Sequence, residues 1–420
     1  MRLFYTLLFY LLTPFVLCRL FWRGFKAPEY RKRWLERLAI YNKKYPADVI
    51  WIHAVSVGEA EAVFPLVKQL QQKYPSDNFL VTTTTPTGSA RVKKVLADTV
   101  SHVYLPYDLP VVVNKFIAVF KPKIAIIMEK EIWPNLYASC ASNKIPLMII
   151  NARLSANSAK GYKKIPGLVK PALDVVSWIA TQTVEDRQRF IEIGARENST
   201  TVTGNLKFDL FIAEKTIQQA KEIKQQLFSG RFVWIVASTH DKEEEIFFDV
   251  YPQLKKLIPE LLLVIVPRHP ERFERVKQMA EAMQLNARMR SAEKPSTEDT
   301  DVYIVDTMGE LKLFYGAADI CFVGGSMVPV GGHNILEPAA IGVPIMFGPY
   351  MINFKDISKN VLDLKAAIQC IDNTALIDTV IHLYTDADYR EAIATRAKQF
   401  VVANQGATDG TVKLIADQIL

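Results

Sequence analysis

Cysteine is scarce in this chain, with four in 420 residues (Cys18, Cys140, Cys321 and Cys370). No two of them share a pairing or metal-ligand spacing, so a disulfide framework is not expected and a reducing compartment suits the composition. Histidine offers no metal site either, because His53, His240 and His333 show no i,i+4 or comparable ligand spacing. Also missing are a G-x-G-x-x-G after a first strand and any G-x-x-x-x-G-K-[ST]. A Rossmann dehydrogenase or a P-loop NTPase would therefore lack its phosphate loop. There is no internal repeat and no low-complexity tract. Nor is there a general excess of positive charge: of 51 Lys/Arg and 44 Asp/Glu, residues 1–45 hold ten and two, leaving 41 against 42 for the rest. The basic excess belongs to the N-terminus, and no nucleic-acid-binding surface is expected.

What is present begins with an apolar N-terminus. Leu3 to Cys18 carry no charge, and Arg19, Arg23, Lys26, Arg31, Lys32, Arg33 and Arg37 follow. A cleaved signal peptide would carry its charge first and end at small residues, whereas Phe15-Val16-Leu17 stand here, so the pattern reads as a signal anchor over residues 1–22. Sixteen uncharged residues give roughly 24 Å of helix against a hydrocarbon core of ~30 Å, and Pro14 interrupts them, which leaves a tilted or half-inserted segment open. The basic flank should stay cytoplasmic and attract anionic headgroups, placing the body on the cytoplasmic face of the membrane.

From Val49 onward, apolar runs of strand length alternate with helical patterns: 49–57, 79–84, 102–106, 124–128, 147–151 and 179–183. A second series follows at 232–237, 261–266, 302–305, 320–323 and 344–347. This is the pattern of βα units around parallel sheets. Two α/β domains are expected, residues 23–212 and 213–420, with the boundary in the stretch from Asp209 to Gln226. Ligands of open α/β sheets bind beyond the carboxyl ends of strands, and the unusual residues gather there.

The most telling stretch is Gly324-Gly325-Ser326 with Gly331-Gly332-His333-Asn334-Ile335-Leu336-Glu337-Pro338, which leaves one strand and opens a helix. Paired glycines and a helix N-terminus suit a phosphate, and Glu337 suits sugar hydroxyls. Asn334 and Glu337 are also spaced as a capping box. Glu59 follows the first strand, where a carboxylate can act as general base, yet Ser56-x-x-Glu59 is a capping-box pattern too. Glu129 and Glu131 alternate after 124–128, so one should face the site and the other point away, with Lys207 or Arg153 as cationic partners. Arg268, set between Pro267 and His269-Pro270, suits bidentate phosphate recognition. Asp299-Thr300-Asp301 and Asp386-Ala387-Asp388 resemble a metal-binding D-x-D, but both lie in polar turns and read better as solvated or capping aspartates.

Together these segments resemble the 3-deoxy-D-manno-octulosonate (Kdo) transferases of Gram-negative lipopolysaccharide synthesis. The resemblance runs nearly end to end, through 26–34, His53 to Glu59, Thr84 to Ser89, Tyr104 to Leu109, Ile132-Trp133-Pro134-Asn135, Asn151 to Ser155, Val266 to Arg272 and Gly331 to Pro338. It implies a GT-B fold, two Rossmann-like parallel-sheet domains facing across a cleft, with the nucleotide-sugar donor held mainly by the C-terminal one. It further implies CMP-Kdo as donor, a tetraacylated lipid A precursor (lipid IVA) as acceptor, and no cofactor. By position, Glu59 matches the family's proton acceptor, and Glu129 and Lys207 match its transition-state supports. The CMP contacts fall on Pro267 and Arg268, on Met308, Gly309 and Glu310, and on Asn334, Ile335, Leu336 and Glu337. One departure is Lys130, where the family often has Thr between the two glutamates. Two other readings stay open, a GT-B transferase using a UDP-sugar and a non-catalytic nucleotide-binding relative.

Overall fold

The computed structural model describes residues 1–210 and 212–419, with only the backbone at Lys26. The Lys26 side chain of the basic flank, Phe211 near the expected boundary and Leu420 at the end of the expected second domain lie outside the described residues. The chain divides into two compact units, Met1–Asp209 with Asn404–Leu420, and Leu210–Ala403.

In the first unit β1 (Val49–His53), β2 (Asn78–Thr83), β3 (Ser101–Tyr104), β4 (Ile124–Met128), β5 (Leu147–Ala152), β6 (Trp178–Thr181) and β7 (Thr200–Val202) form one parallel sheet. Their order is β3-β2-β1-β4-β5-β6-β7. Successive side chains alternate between two cores: Ile50, Ile52, Ile126 and Ile150 join one apolar cluster, and Trp51, Ala125, Ile127 and Ile149 the other. With helices on both faces, every position must be apolar, which is why these strands read as unbroken hydrophobic runs. The helices start where the sequence supplies caps: Ser56, Thr85, Ser155 and Thr183 each accept a backbone N–H three residues on.

The second unit repeats the plan with β8 (Phe232–Thr239), β9 (Leu261–Pro267), β10 (Ala287–Met289), β11 (Val302–Ile304), β12 (Ile320–Val323), β13 (Ile345–Phe347) and β14 (Ile368–Gln369), ordered β10-β11-β9-β8-β12-β13-β14. In the first sheet the order reverses between β1 and β4; in the second the corresponding reversal lies between β8 and β12, with β11 set between β10 and β9. Those reversals open the crevices in which doubly wound sheets bind ligands.

Two expected boundaries change. The last helix, Ala407–Ile419, belongs to the first unit and not to the span 213–420. Ala407 and Ile415 enter the apolar cluster of Ile50, the Asp209 carboxylate accepts the Gly406 and Thr408 N–H groups, and Gln69 donates to Asp409 at 2.9 Å. A terminal helix with an apolar face is buried wherever it finds partners, and sequence order does not name them. At the other end the helix spans Arg2–Lys26, 25 residues, and not 1–22. Nothing after Cys18 breaks it before Pro28, and Pro14 is accommodated within it. At 1.5 Å per residue it is about 37 Å long. Among the described residues it is the one helix long and apolar enough to cross a membrane.

Candidate active site

At the first reversal, β1 ends at His53 and the chain turns through Ala54 to Ser56 into the helix Val57–Lys73. Glu59 lies in its first turn. The Glu59 N–H donates to Ser56 Oγ at 3.4 Å, and the Val55 N–H donates to Glu59 Oε2 at 2.6 Å. The capping pattern is thus real, although the carboxylate reaches back to Val55, one residue before the cap. It does not exhaust what Glu59 can do. The half-buried carboxyl is pushed up to about 8, first by burial and next by the Glu129 charge, with Glu131 adding to the shift and Lys207 opposing it. A carboxyl held near neutrality beside a lysine is what proton transfer at physiological pH requires.

Glu129 follows β4 across the reversal and has φ +59°. A non-glycine residue in this left-handed region is uncommon, and its N–H is fixed by Ile150 O at 3.0 Å. The turn ends the strand, so the alternation expected for Glu129 and Glu131 does not carry past Met128: both charges act on Glu59. Lys130 is exposed between them, so the one departure from the family pattern leaves these carboxylates in place. Lys207 is carried by the short turn Leu206–Phe208. Buried Asn151, at φ +50° near the end of β5, accepts the Leu206 N–H at 3.0 Å, and Asn205 accepts the Lys207 N–H at 3.0 Å. Asn151 acts here through the backbone of that turn.

The second reversal carries the glycine-rich loop. Its amide cradle is filled from within: the Glu243 carboxylate accepts the N–H groups of Gly325 (2.7 Å), Ser326 (3.0 Å), Met327 (2.9 Å) and His240 (3.1 Å). Glu243 is fully buried, and burial raises its pKa despite those four donors. Gly325 is needed for φ +66°, and at Gly332 (φ +73°) a Cβ would collide with Met351. These glycines serve the fold of the loop. The helix that follows, Leu336–Ile341, is a short one with Ile335 at its N-cap, and Asn334 Oδ1, one residue earlier, accepts the Leu336 N–H at 3.0 Å.

Beyond the cradle a cationic and imidazole cluster forms. Arg268 is exposed just past β9, its N–H bonded to Thr239 O at 3.0 Å. His240 and His333 meet through Nε2 at 2.8 Å with rings 7° from parallel, and His269 lies edge-on to His240 at 5.3 Å. Burial, and then the neighbouring imidazoles and arginines, push His240 down and His333 down to about 4. Where the two Nε2 atoms meet, one ring donates and the other accepts. The loop is anchored by Arg272, which grips buried Glu244 with two bonds of 2.7 Å.

The remaining sequence candidates sit on the same rim. Met308 and Gly309 (φ +99°) follow β11, Glu310 accepts from Arg290 at 3.2 Å, and Lys312, on the helix that Glu310 begins, approaches Glu337 at 3.9 Å. Pro267 closes β9 opposite Thr239, and Ile335 and Leu336 are buried under the loop. Sequence reasoning missed Glu243, Glu244 and Arg272. The run Glu243-Glu244-Glu245 looks like a solvated helix start, and only burial marks two of its members. Of the D-x-D strings, Asp301 accepts the Asn286 N–H and the Tyr251 hydroxyl, and Asp386 accepts the Tyr389 N–H. Among the described residues no group of three or more His, Cys, Asp or Glu side chains is arranged to hold a metal ion.

The family profile described as 3-deoxy-D-manno-octulosonic-acid transferase (kdotransferase) matches residues 32–210. Over 417 residues the chain is 38% identical to the 3-deoxy-D-manno-octulosonic acid transferase of Haemophilus influenzae, covering 99% of this chain and 98% of that one. It is 35% identical over 420 residues to that of Rickettsia bellii, covering 99% of each. Among solved structures, UDP-GlcNAc 2-epimerase from Neisseria meningitidis bound to UDP-GlcNAc aligns with a TM-score of 0.56 at 13% identity, over 89% of this chain and 99% of that one. At that identity the likeness is one of fold, the GT-B arrangement of Rossmann-like units.

Proposed function

The chain belongs to the 3-deoxy-D-manno-octulosonic acid transferase family, and from that premise we propose that it moves Kdo from CMP-Kdo to a lipid A precursor, lipid IVA, at the cytoplasmic face of the bacterial inner membrane. The observation that carries the mechanism is the Glu59 carboxyl, held near neutrality among Glu129, Glu131 and Lys207 at the reversal of the first sheet. Glu59 takes the proton of the acceptor hydroxyl as that oxygen bonds to the anomeric carbon. The bond from that carbon to the CMP phosphate oxygen breaks, and CMP leaves with the electron pair as a phosphate monoester. Direct displacement inverts the anomeric centre. Lys207 meets developing negative charge, while the negative Glu129 keeps Glu59 basic enough to accept a proton.

Donor recognition falls to the second unit. Arg268 takes the phosphate, the loop Asn334 to Leu336 and Glu337 take the ribose, and Pro267 with Met308, Gly309 and Glu310 form the rest of the nucleotide site. The Arg2–Lys26 helix and its basic flank hold the enzyme to the bilayer in which the acceptor resides, raising its effective concentration. Nucleotide selectivity tests this reading against a UDP-sugar transferase. Calorimetry should detect CMP binding and much weaker binding of UDP; the reverse preference would overturn the donor assignment.

A further inference from the structure

The N-terminal helix is fastened to the first unit at both ends. At its start, Tyr5 donates to the buried Asp108 carboxylate at 2.9 Å, Thr6 donates to Asn135 at 3.0 Å, and Phe9 packs on the apolar core. Asp108 is no loose surface acceptor, since it also caps the helix Pro134–Ser142 through the Asn135 and Leu136 N–H groups at 3.0 and 2.7 Å. At its far end, Arg31 lies over the Phe21 and Phe25 rings at 4.7 and 3.8 Å, and Phe21 meets Trp34 edge-on. The adjoining Arg33 donates to Ser89 at 2.8 Å and to the His102 carbonyl at 3.1 Å, tying this end to the sheet side of the unit.

Between the two ends, Tyr5, Phe9, Thr13, Leu17, Leu20 and Gly24 are partly or fully covered at spacings of three and four, one stripe along the helix. Phe4, Leu11, Phe15 and Trp22 stand exposed on the opposite face. A helix crossing ~30 Å of hydrocarbon would carry Tyr5 and Thr6 to the far side of the bilayer from the unit that holds them. The two sets of contacts and a spanning orientation exclude one another.

We propose that this helix lies in the plane of the membrane interface, with its Phe4–Leu11–Trp22 face in the acyl boundary and Arg19, Arg23, Arg31 and Lys32 against anionic headgroups, so that the protein is monotopic. The proposal rests on the membrane-anchor part of the function above and replaces a span with a flat attachment. It fits the composition: hydroxyl-bearing Tyr5, Thr6 and Thr13 take the body-facing stripe, and the large apolar side chains take the other. Arg2, near Asp108, also keeps a charge at the end that spanning would have to translocate.

The test uses the full chain with Cys18→Ser, whose other cysteines are buried, carrying a nitroxide at Phe4→Cys, Leu11→Cys or Trp22→Cys in vesicles containing phosphatidylglycerol. Oxygen and nickel-chelate accessibilities give the depth of each label. An in-plane helix places all three at a similar depth of about 5–10 Å. Shallow depths at Phe4→Cys and Trp22→Cys with Leu11→Cys near the bilayer centre would overturn the orientation and leave the anchor intact. Full water exposure at all three sites would remove the anchor as well.

Discussion

Glu59→Gln separates the two jobs that the structure gives one carboxyl. Glutamine retains an oxygen to accept the Val55 N–H and leaves the bond from the Glu59 N–H to Ser56 intact, so the cap survives. What it loses is basicity, worth a factor of roughly 10² to 10⁴ in turnover. The raised pKa adds a second signature. With the carboxyl at about 8, about a tenth of the free enzyme holds Glu59 ionised at pH 7. Wild-type kcat/KM should therefore climb nearly tenfold per unit below that value and level off above it, whereas residual Glu59→Gln activity should show no such limb. Stability should respond in the opposite sense. The native state keeps a proton that the unfolded chain has lost, so the Glu59 contribution is complete below pH 4.5 and disappears as pH rises to about 8. Glu59→Gln should erase that decline. Transfer rates, thermal midpoints and CMP affinities measured on one preparation decide the matter. A variant that keeps a third of wild-type turnover where chemistry limits the rate, with the same pH limb, would refute Glu59 as the base.

Glu129→Gln removes the like charge that follows burial in raising Glu59, so the limb of the kcat/KM profile should move to lower pH; an unmoved limb would separate the two carboxyls. Arg268→Ala should weaken CMP binding through the phosphate, and Glu337→Ala through the ribose, each by about ten- to a hundred-fold, read by calorimetry. Wild-type affinity in both would place the nucleotide elsewhere. Glu243→Gln keeps one oxygen and sets an NH2 group against two of the four N–H groups that the carboxylate accepts. It should cost roughly 1–3 kcal/mol, lowering the thermal midpoint of the second unit by about 2–4 °C per kcal/mol. An unchanged midpoint would mean that the loop holds its own shape. Removal of residues 1–22 should leave a folded, CMP-binding protein that works poorly on acceptor in bilayers; unchanged liposomal activity would take the anchor out of the mechanism.

Both sheets were legible in the sequence because their central strands are covered on two faces and must be apolar throughout, as in Val49–His53 and Leu261–Pro267. The edge strands Thr200–Val202, Ala287–Met289 and Ile368–Gln369 were not, since two or three half-exposed residues carry no hydrophobic run. Glu59 and Lys207 stood out through their neighbours in the chain, but their shared environment is tertiary: it depends on Asn151 bonding to Leu206, 55 residues away. The place of the glycine-rich loop at a strand end was legible, but the group that holds its amides was not. Glu243 fills the cradle from 82 positions upstream of Gly325, and its own surroundings read as an exposed helix start. The return of Ala407–Ile419 to the first unit was hidden for the same reason, since a contact across such a separation leaves no local signal.

The central claim is Kdo transfer, and mass spectrometry of the acceptor tests it most directly. The full-length protein, incubated with CMP-Kdo and lipid IVA, should yield acceptor heavier by one or more Kdo residues, with CMP released in equal number. Unmodified acceptor and intact CMP-Kdo, under conditions where the Haemophilus influenzae relative gives product, would contradict the account.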